Sequence, residues 1–190
     1  MKATYPSTDL VKTDIKEEVM NQDEKFIKRS IEIALESGKK GHNTFGALLV
    51  NDGRILEEGE STAANAVGAF GHAEFNLVHN CVGKYPDEMM ADSIVYTSTA
   101  PCVRCLMAIA SLGVKKVVYS VSYEQFRLIQ PYKTVLLDYE KLLADMGVEM
   151  TLIGPVLEDE GFKVYSYRYG GYQDLEEILE ESAASREAQI

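Results

Sequence analysis

The stretch Ser93-Ile-Val-Tyr-Thr-Ser-Thr-Ala-Pro-Cys-Val-Arg-Cys-Leu-Met-Ala-Ile-Ala-Ser-Leu-Gly-Val-Lys-Lys-Val-Val-Tyr-Ser120 reads as strand, helix, strand. Ile94, Val95 and Tyr96 form a short run of β-branched and aromatic side chains, and so do Val117, Val118 and Tyr119. Between the runs, Pro101 opens a helix over Cys102–Leu112, where a missing N–H costs little. Gly113 ends that helix.

Working outward, Phe45-Gly-Ala-Leu-Leu-Val50 is a compact apolar run with strand character. Asn51-Asp-Gly53 is a turn signal, and Arg54–Gly59 returns as a second strand, which makes a β-hairpin. Before it, Phe26, Ile27, Ser30, Ile31, Ala34 and Leu35 recur at helical spacing, with Asp23 as the expected N-cap and Gly38 as the stop. Residues 1–21 are polar and read as a loose arm with a short helix near Leu10–Met20. Ala73–Val82 is a helix. Downstream, 134–146 reads as an amphipathic helix carrying Val135, Leu136, Leu142, Leu143 and Met146, closed by Gly147. Val148–Ile153 is a strand, Val164–Tyr169 strand or coil, and Asp174–Ala184 an acidic helix with Leu175, Ile178 and Leu179 on one side. Strands alternating with helices imply an α/β sheet covered on both faces, and the hairpin makes that sheet mixed. The expected organisation is an arm (1–22), a main domain (23–170) and an appended C-terminal helix or lid (171–190).

The 190 residues carry 19 basic and 30 acidic side chains, a net charge of −11. Nucleic-acid binding draws its affinity from Lys and Arg meeting phosphates, and the only basic pairs are Lys39-Lys40 and Lys115-Lys116. A small neutral substrate is therefore expected, and nucleic acid is not. No apolar run approaches the ~20 residues of a membrane span, and the acidic N-terminal segment lacks a secretory core, so a cytoplasmic protein is expected. Three cysteines, Cys81, Cys102 and Cys105, suit metal chemistry, redox chemistry or buried thiols better than a disulfide scaffold.

His72-Ala73-Glu74 and Pro101-Cys102-Val103-Arg104-Cys105 each lie where a loop feeds a helix N-terminus. Unpaired N–H groups and the helix dipole favour thiolates there. Cys102 and Cys105 lie one helical turn apart and can face one ion, with His72 as a third ligand. Three protein ligands leave one tetrahedral position open, as in a catalytic zinc site. Glu74 is then placed to move protons beside the metal rather than to bind it. A closed zinc site would need a fourth ligand, and His79 and Cys81 lie too far along the helix. A redox dithiol would leave His72 and Glu74 without a role.

His-x-Glu followed by Pro-Cys-x-x-Cys is the signature of zinc deaminases. With Phe45-Gly-Ala47 and the strand Val117–Ser120, the chain resembles the cytidine deaminase-like superfamily over roughly residues 24–153. The match is to its nucleobase and tRNA-adenosine branch. The resemblance implies a three-layer α/β/α fold around a five-stranded mixed sheet. It also implies one Zn2+ per chain on His72, Cys102 and Cys105, and Glu74 as the catalytic proton shuttle. Ala73 and Ala100 match backbone contacts to substrate, and Phe45 matches a pocket wall. The family's base-reading Asn corresponds to Ser61 here, with Asn65 nearby as a replacement. The segment Tyr172–Ile178 resembles the tail of fungal cytosine deaminases, with Glu176 or Glu177 as the matching carboxylate, and otherwise reads as a solvated acidic helix; Tyr165, Tyr167, Tyr169 and Tyr172 read either as alternating sheet or surface aromatics or as a stacking lid.

The implied activity is hydrolytic removal of an exocyclic amine from a cytosine- or guanine-type base or similar heterocycle, with release of ammonia. The rivals are tRNA adenosine deamination and a non-catalytic zinc-binding subunit of the same fold. A homodimer is expected, with the apolar stripe of the Asp174–Ala184 helix as a candidate contact.

Overall fold

A computed structural model of the chain describes residues 8–63, 68–131, 133 and 135–188. Helix α1 (Thr8–Lys39) leads into the hairpin of β1 (Gly46–Asn51) and β2 (Arg54–Glu60). There follow α2 (Ala73–Cys81), α3 (Asp87–Ala91), β3 (Ile94–Thr99), α4 (Val103–Ser111), β4 (Lys116–Val121), α5 (Tyr123–Phe126), α6 (Tyr139–Asp145) and β5 (Thr151–Ile153). The chain then forms α7 (Glu158–Lys163), a two-stranded ribbon of β6 (Tyr167–Arg168) and β7 (Gly171–Tyr172), and α8 (Leu175–Glu187). The main sheet has the order β2-β1-β3-β4-β5. β1 runs antiparallel to β2 and β3, while β3, β4 and β5 are parallel. The expected five-stranded mixed sheet is present.

Burial along the central strands shows why their sequences are apolar without alternation. Leu49, Val95 and Val117 share one core with Leu77 of α2 and with Leu106 and Ile109 of α4. Their neighbours Leu48, Tyr96 and Val118 point to the other face and pack with Phe26, Ile27 and Ala34 of α1. Successive strand residues face opposite sides, so a sheet covered twice needs apolar residues at nearly every position. At the hairpin turn Asp52 and Gly53 both have positive φ, 47° and 68°, as a type I′ turn requires.

Several boundaries differ from the sequence reading. Asp23 does not cap α1, which begins upstream at Thr8. Its buried carboxylate instead accepts a 2.6 Å hydrogen bond from the Tyr96 hydroxyl across the core. A cap and a buried acceptor demand the same residue type, and only packing separates them. The helix expected over 134–146 is confined to Tyr139–Asp145. Asp138 caps it by accepting from the Lys141 amide at 2.9 Å. Val135, Leu136 and Leu137 remain exposed coil, since no core surface receives them. The strand expected over Val148–Ile153 pairs only at Thr151–Ile153. Val164–Tyr169 divides into a 3₁₀ turn and the first strand of the ribbon. The stripe on α8 packs within the chain: Ile178 is fully buried in a cluster with Val121, Ile129, Phe162 and Tyr165, and Leu175 and Leu179 lie against it.

Gly59 governs how closely α2 approaches the sheet. A Cβ at this position would stand 2.3 Å from the Ala73 carbonyl oxygen and 2.7 Å from the Leu77 amide nitrogen. Both are helix backbone and cannot swing aside. Gly59→Ala is expected to cost about 1–3 kcal/mol of stability through overpacking, measured by urea unfolding. An unchanged midpoint and slope would show that α2 has room to retreat.

Candidate active site

The two motifs occupy equivalent positions on the fold. His72 is the cap residue of α2, with extended backbone at φ −65° and ψ 147°. Cys102 is the cap residue of α4, at φ −66° and ψ 162°. Neither side chain caps its own helix, so both are available to the site. Glu74 and Cys105 follow within the first turns. α2 and α4 lie side by side on one face of the sheet, and their starts meet beyond the end of β3.

The result is a compact donor set. His72 Nδ1 lies 3.9 Å from Cys102 Sγ and 3.4 Å from Cys105 Sγ, and the sulfurs are 3.5 Å apart. Tetrahedral zinc, with Zn–S near 2.3 Å and Zn–N near 2.0 Å, separates such atoms by roughly 3.5–3.8 Å. The residues fit a zinc ion. Among the described residues no further His, Cys, Asp or Glu joins the group, so one coordination position stays open. His79 is exposed, and Cys81 is buried elsewhere with its thiol pushed up to about 11 by desolvation. Neither is a ligand.

The protonation pattern suits a cation. The hydrogen bond from Cys105 holds the Cys102 thiol down to about 3 despite its partial burial, with His72 as a further partner. The same bond pushes the Cys105 thiol up. Contact with Cys102 raises His72. A metal binding both sulfurs would displace their protons. Burial raises the Glu74 carboxyl, which is 7% exposed.

These groups open into a cavity of about 790 Å³. Its apolar wall is aromatic. The Phe45 ring lies nearly parallel to the His72 imidazole, with centroids 6.4 Å apart. Phe126 and Tyr165 meet Phe45 edge-on at 5.5 and 6.1 Å. The Tyr165 hydroxyl is hydrogen-bonded to Thr99 Oγ1, and both residues line the cavity. The β6–β7 ribbon adds Arg168, Tyr169 and Tyr172 to the lining. It is fixed to the end of α1 and the following loop: the Tyr169 amide donates to His42 O at 3.2 Å, Gly170 to Gly38 O at 2.9 Å, and Thr44 Oγ1 to Tyr167 O. The tyrosine segment is thus a stitched wall. Tyr167 does not line the cavity and pairs with Tyr172 at 5.1 Å.

Of the substrate contacts expected from sequence, Phe45 and Ala100 line the cavity. Ala73 is fully buried at the first turn of α2 and is not among the lining residues. Ser61 is also fully buried; its hydroxyl donates to Gly71 O at 3.2 Å and accepts from the Ala63 amide at 3.3 Å. It braces a loop and does not line the cavity. Asn65 lies outside the described residues. Glu176 and Glu177 are exposed on α8 and do not line the cavity. Sequence reasoning missed Asn43, Thr99, Phe126 and Arg168, all of which line it. Asn43 Nδ2 donates to Ala63 O at 2.8 Å. Its position just before β1, at the sheet end where the motif helices start, was the available signal.

Comparison with known proteins agrees with this geometry. A guanine deaminase from Bacillus subtilis (strain 168) is 33% identical over 101 residues, covering 53% of this chain and 65% of the relative. A cytosine deaminase from Candida albicans is 27% identical over 128 residues, covering 65% of this chain and 77% of the relative. A guanine deaminase from Nitrosomonas europaea shares the fold, with a TM-score of 0.61 at 15% identity over 81% of this chain and 82% of that one. The chain thus spans just under two thirds of the length of the Bacillus relative. The model of the cytidine and deoxycytidylate deaminase zinc-binding region matches residues 20–121, more than half of the chain and the part that holds all three ligands and Glu74, so this chain belongs to that family.

Proposed function

We propose that the protein hydrolytically removes an exocyclic amine from a small guanine- or cytosine-type amino-heterocycle. The observation that carries this reading is the buried Glu74 carboxyl beside a three-ligand group with one side open, within an aromatic cavity. His72, Cys102 and Cys105 would hold a zinc ion, which would supply Lewis acidity and make water nucleophilic at neutral pH. Glu74 takes a proton from the attacking water and returns it to a ring nitrogen as the C–O bond forms. It then takes the second proton from the newly added hydroxyl and passes it to the amine, which leaves as ammonia while the C–N bond breaks and the hydroxyl oxygen becomes a carbonyl. Phe45, Phe126 and Tyr165 hold the flat ring and exclude water, which strengthens each polar contact made there.

A structural zinc site has no use for a buried acid on its open side, which disfavours the non-catalytic reading. The charge of −11 disfavours tRNA, whose binding needs a basic approach. No helix among the described residues is long and apolar enough to cross a membrane. A homodimer would draw on the exposed Val135, Leu137 and Met146, since the stripe on α8 is already packed.

Cys102→Ser, Cys105→Ser and His72→Ala are each expected to lower zinc content, read by metal analysis of purified protein. Stoichiometric zinc in all three variants would remove the assigned ligand set. Glu74→Gln is expected to keep zinc and lower turnover by roughly 10²–10⁴-fold. Loss of metal in that variant would reassign Glu74 to zinc binding. Ammonia release from guanine, cytosine, adenine, their nucleosides and a tRNA substrate tests the reaction itself. Release from the tRNA alone, or from none of them, would end the small-heterocycle reading.

A further inference from the structure

The charge of the cavity runs against the charge of the chain. The protein carries −11, and some of its cations are spent on ion pairs: Arg29 with Glu58, Lys40 with Glu60, Lys84 with Glu57, Lys141 with Asp145. Among the described residues Glu74 is the one carboxylate lining the cavity, and it is buried. Arg104 and Arg168 also line it, and among the described residues neither makes an ion pair.

Arg168 is the more telling of the two. Arg104 lies between Cys102 and Cys105 in the sequence, where it lowers the Cys102 thiol and has a role without any substrate. Arg168 does not figure among the groups that shift His72, Cys102 or Cys105. Its Nη2 donates to the neutral Gln173 Oε1 at 3.1 Å, and Gln173 lines the cavity as well. It ends β6 on a ribbon whose backbone is bonded to the end of α1, so the wall that presents it is fixed. A guanidinium keeps its charge at any physiological pH and offers a planar fork that matches a carboxylate or a phosphate. The space is also generous. About 790 Å³ lies near the upper end of the range for small-molecule pockets and exceeds what one bicyclic ring fills.

We propose that Arg168, aided by the field of Arg104, is a specificity residue that binds an anionic substituent carried by the amino-heterocycle. The substituent is a carboxylate or a phosphate, held at the ribbon side of the cavity while the ring lies against Phe45 and Tyr165. This rests on reading the cavity as the substrate site of a deaminase. It deepens that reading by stating what the substrate carries besides its amine.

The test is isothermal titration of the zinc-loaded full chain with matched ligands. The pairs are cytosine with 5-carboxycytosine, cytidine with CMP, and guanosine with GMP. At least one anionic member is expected to bind about ten- to a hundredfold more tightly than its neutral partner. That preference should shrink with added salt, as an exposed ion pair does. Arg168→Gln should reduce it to about threefold or less, and Arg168→Lys, which keeps the charge, should restore part of it. A preference for 5-carboxycytosine alone assigns a carboxylate, and one for the nucleotides alone assigns a phosphate. No preference in any pair, no binding at all, or a preference that survives Arg168→Gln would overturn the proposal. Ammonia release is scored on the same panel. Release without an anionic preference keeps the deaminase reading and removes this one, and an anionic preference without release does the reverse.

Discussion

Helix α2 lies against β2 closer than any side chain at Gly59 would allow, with the Ala73 carbonyl and the Leu77 amide in the space a Cβ would take. That approach sets the position of the helix start, and His72 and Glu74 are on that start. α4 reaches the same place from the other side, held by Leu106 and Ile109 in the core that also contains Leu77. The three ligand atoms fall within 3.4–3.9 Å of one another because both helices are seated on one sheet face. Rigid elements supply the accuracy that a metal site needs, and loops alone would not.

The opposite face of the sheet explains the rest of the architecture. α1 covers it with Phe26, Ile27 and Ala34, and the Asp23–Tyr96 hydrogen bond ties the helix to β3. The end of α1 is also the anchor for the β6–β7 ribbon, through Gly38 and His42. One long helix therefore serves the core at its middle and the cavity wall at its end. The wall in turn brings Arg168, Tyr169 and Tyr172 to the cavity lining.

Legibility followed the range of the interactions. Cys102 and Cys105 were readable because one helical turn brings their sulfurs together, and the Asn51–Gly53 turn because its backbone demands positive φ. Asp23 was misread because a helix cap and a buried acceptor call for the same short carboxylate. The helix over 134–146 was overextended because Val135 and Leu136 fit a helical period yet meet no core. Ser61 took the position of a reading residue in the motif spacing, but its hydroxyl is spent on Gly71 and Ala63. Thr99, Phe126 and Arg168 carry no local signature. They reach the cavity only through strand ends and a ribbon that fold back onto it.

The sequence by itself determined the chemistry of the metal site and the alternation of strands and helices. Both depend on spacing along a few residues, where bond geometry fixes which side chains share a face. Tertiary structure alone decided that His72 meets a pair of cysteines about thirty residues away, that Ser61 is buried outside the cavity, and that the tyrosine-rich tail is a fixed wall bringing Arg168 to the cavity. Those outcomes depend on how closely separate elements pack, which is set by volumes such as the empty space at Gly59 and not by the pattern of any one segment.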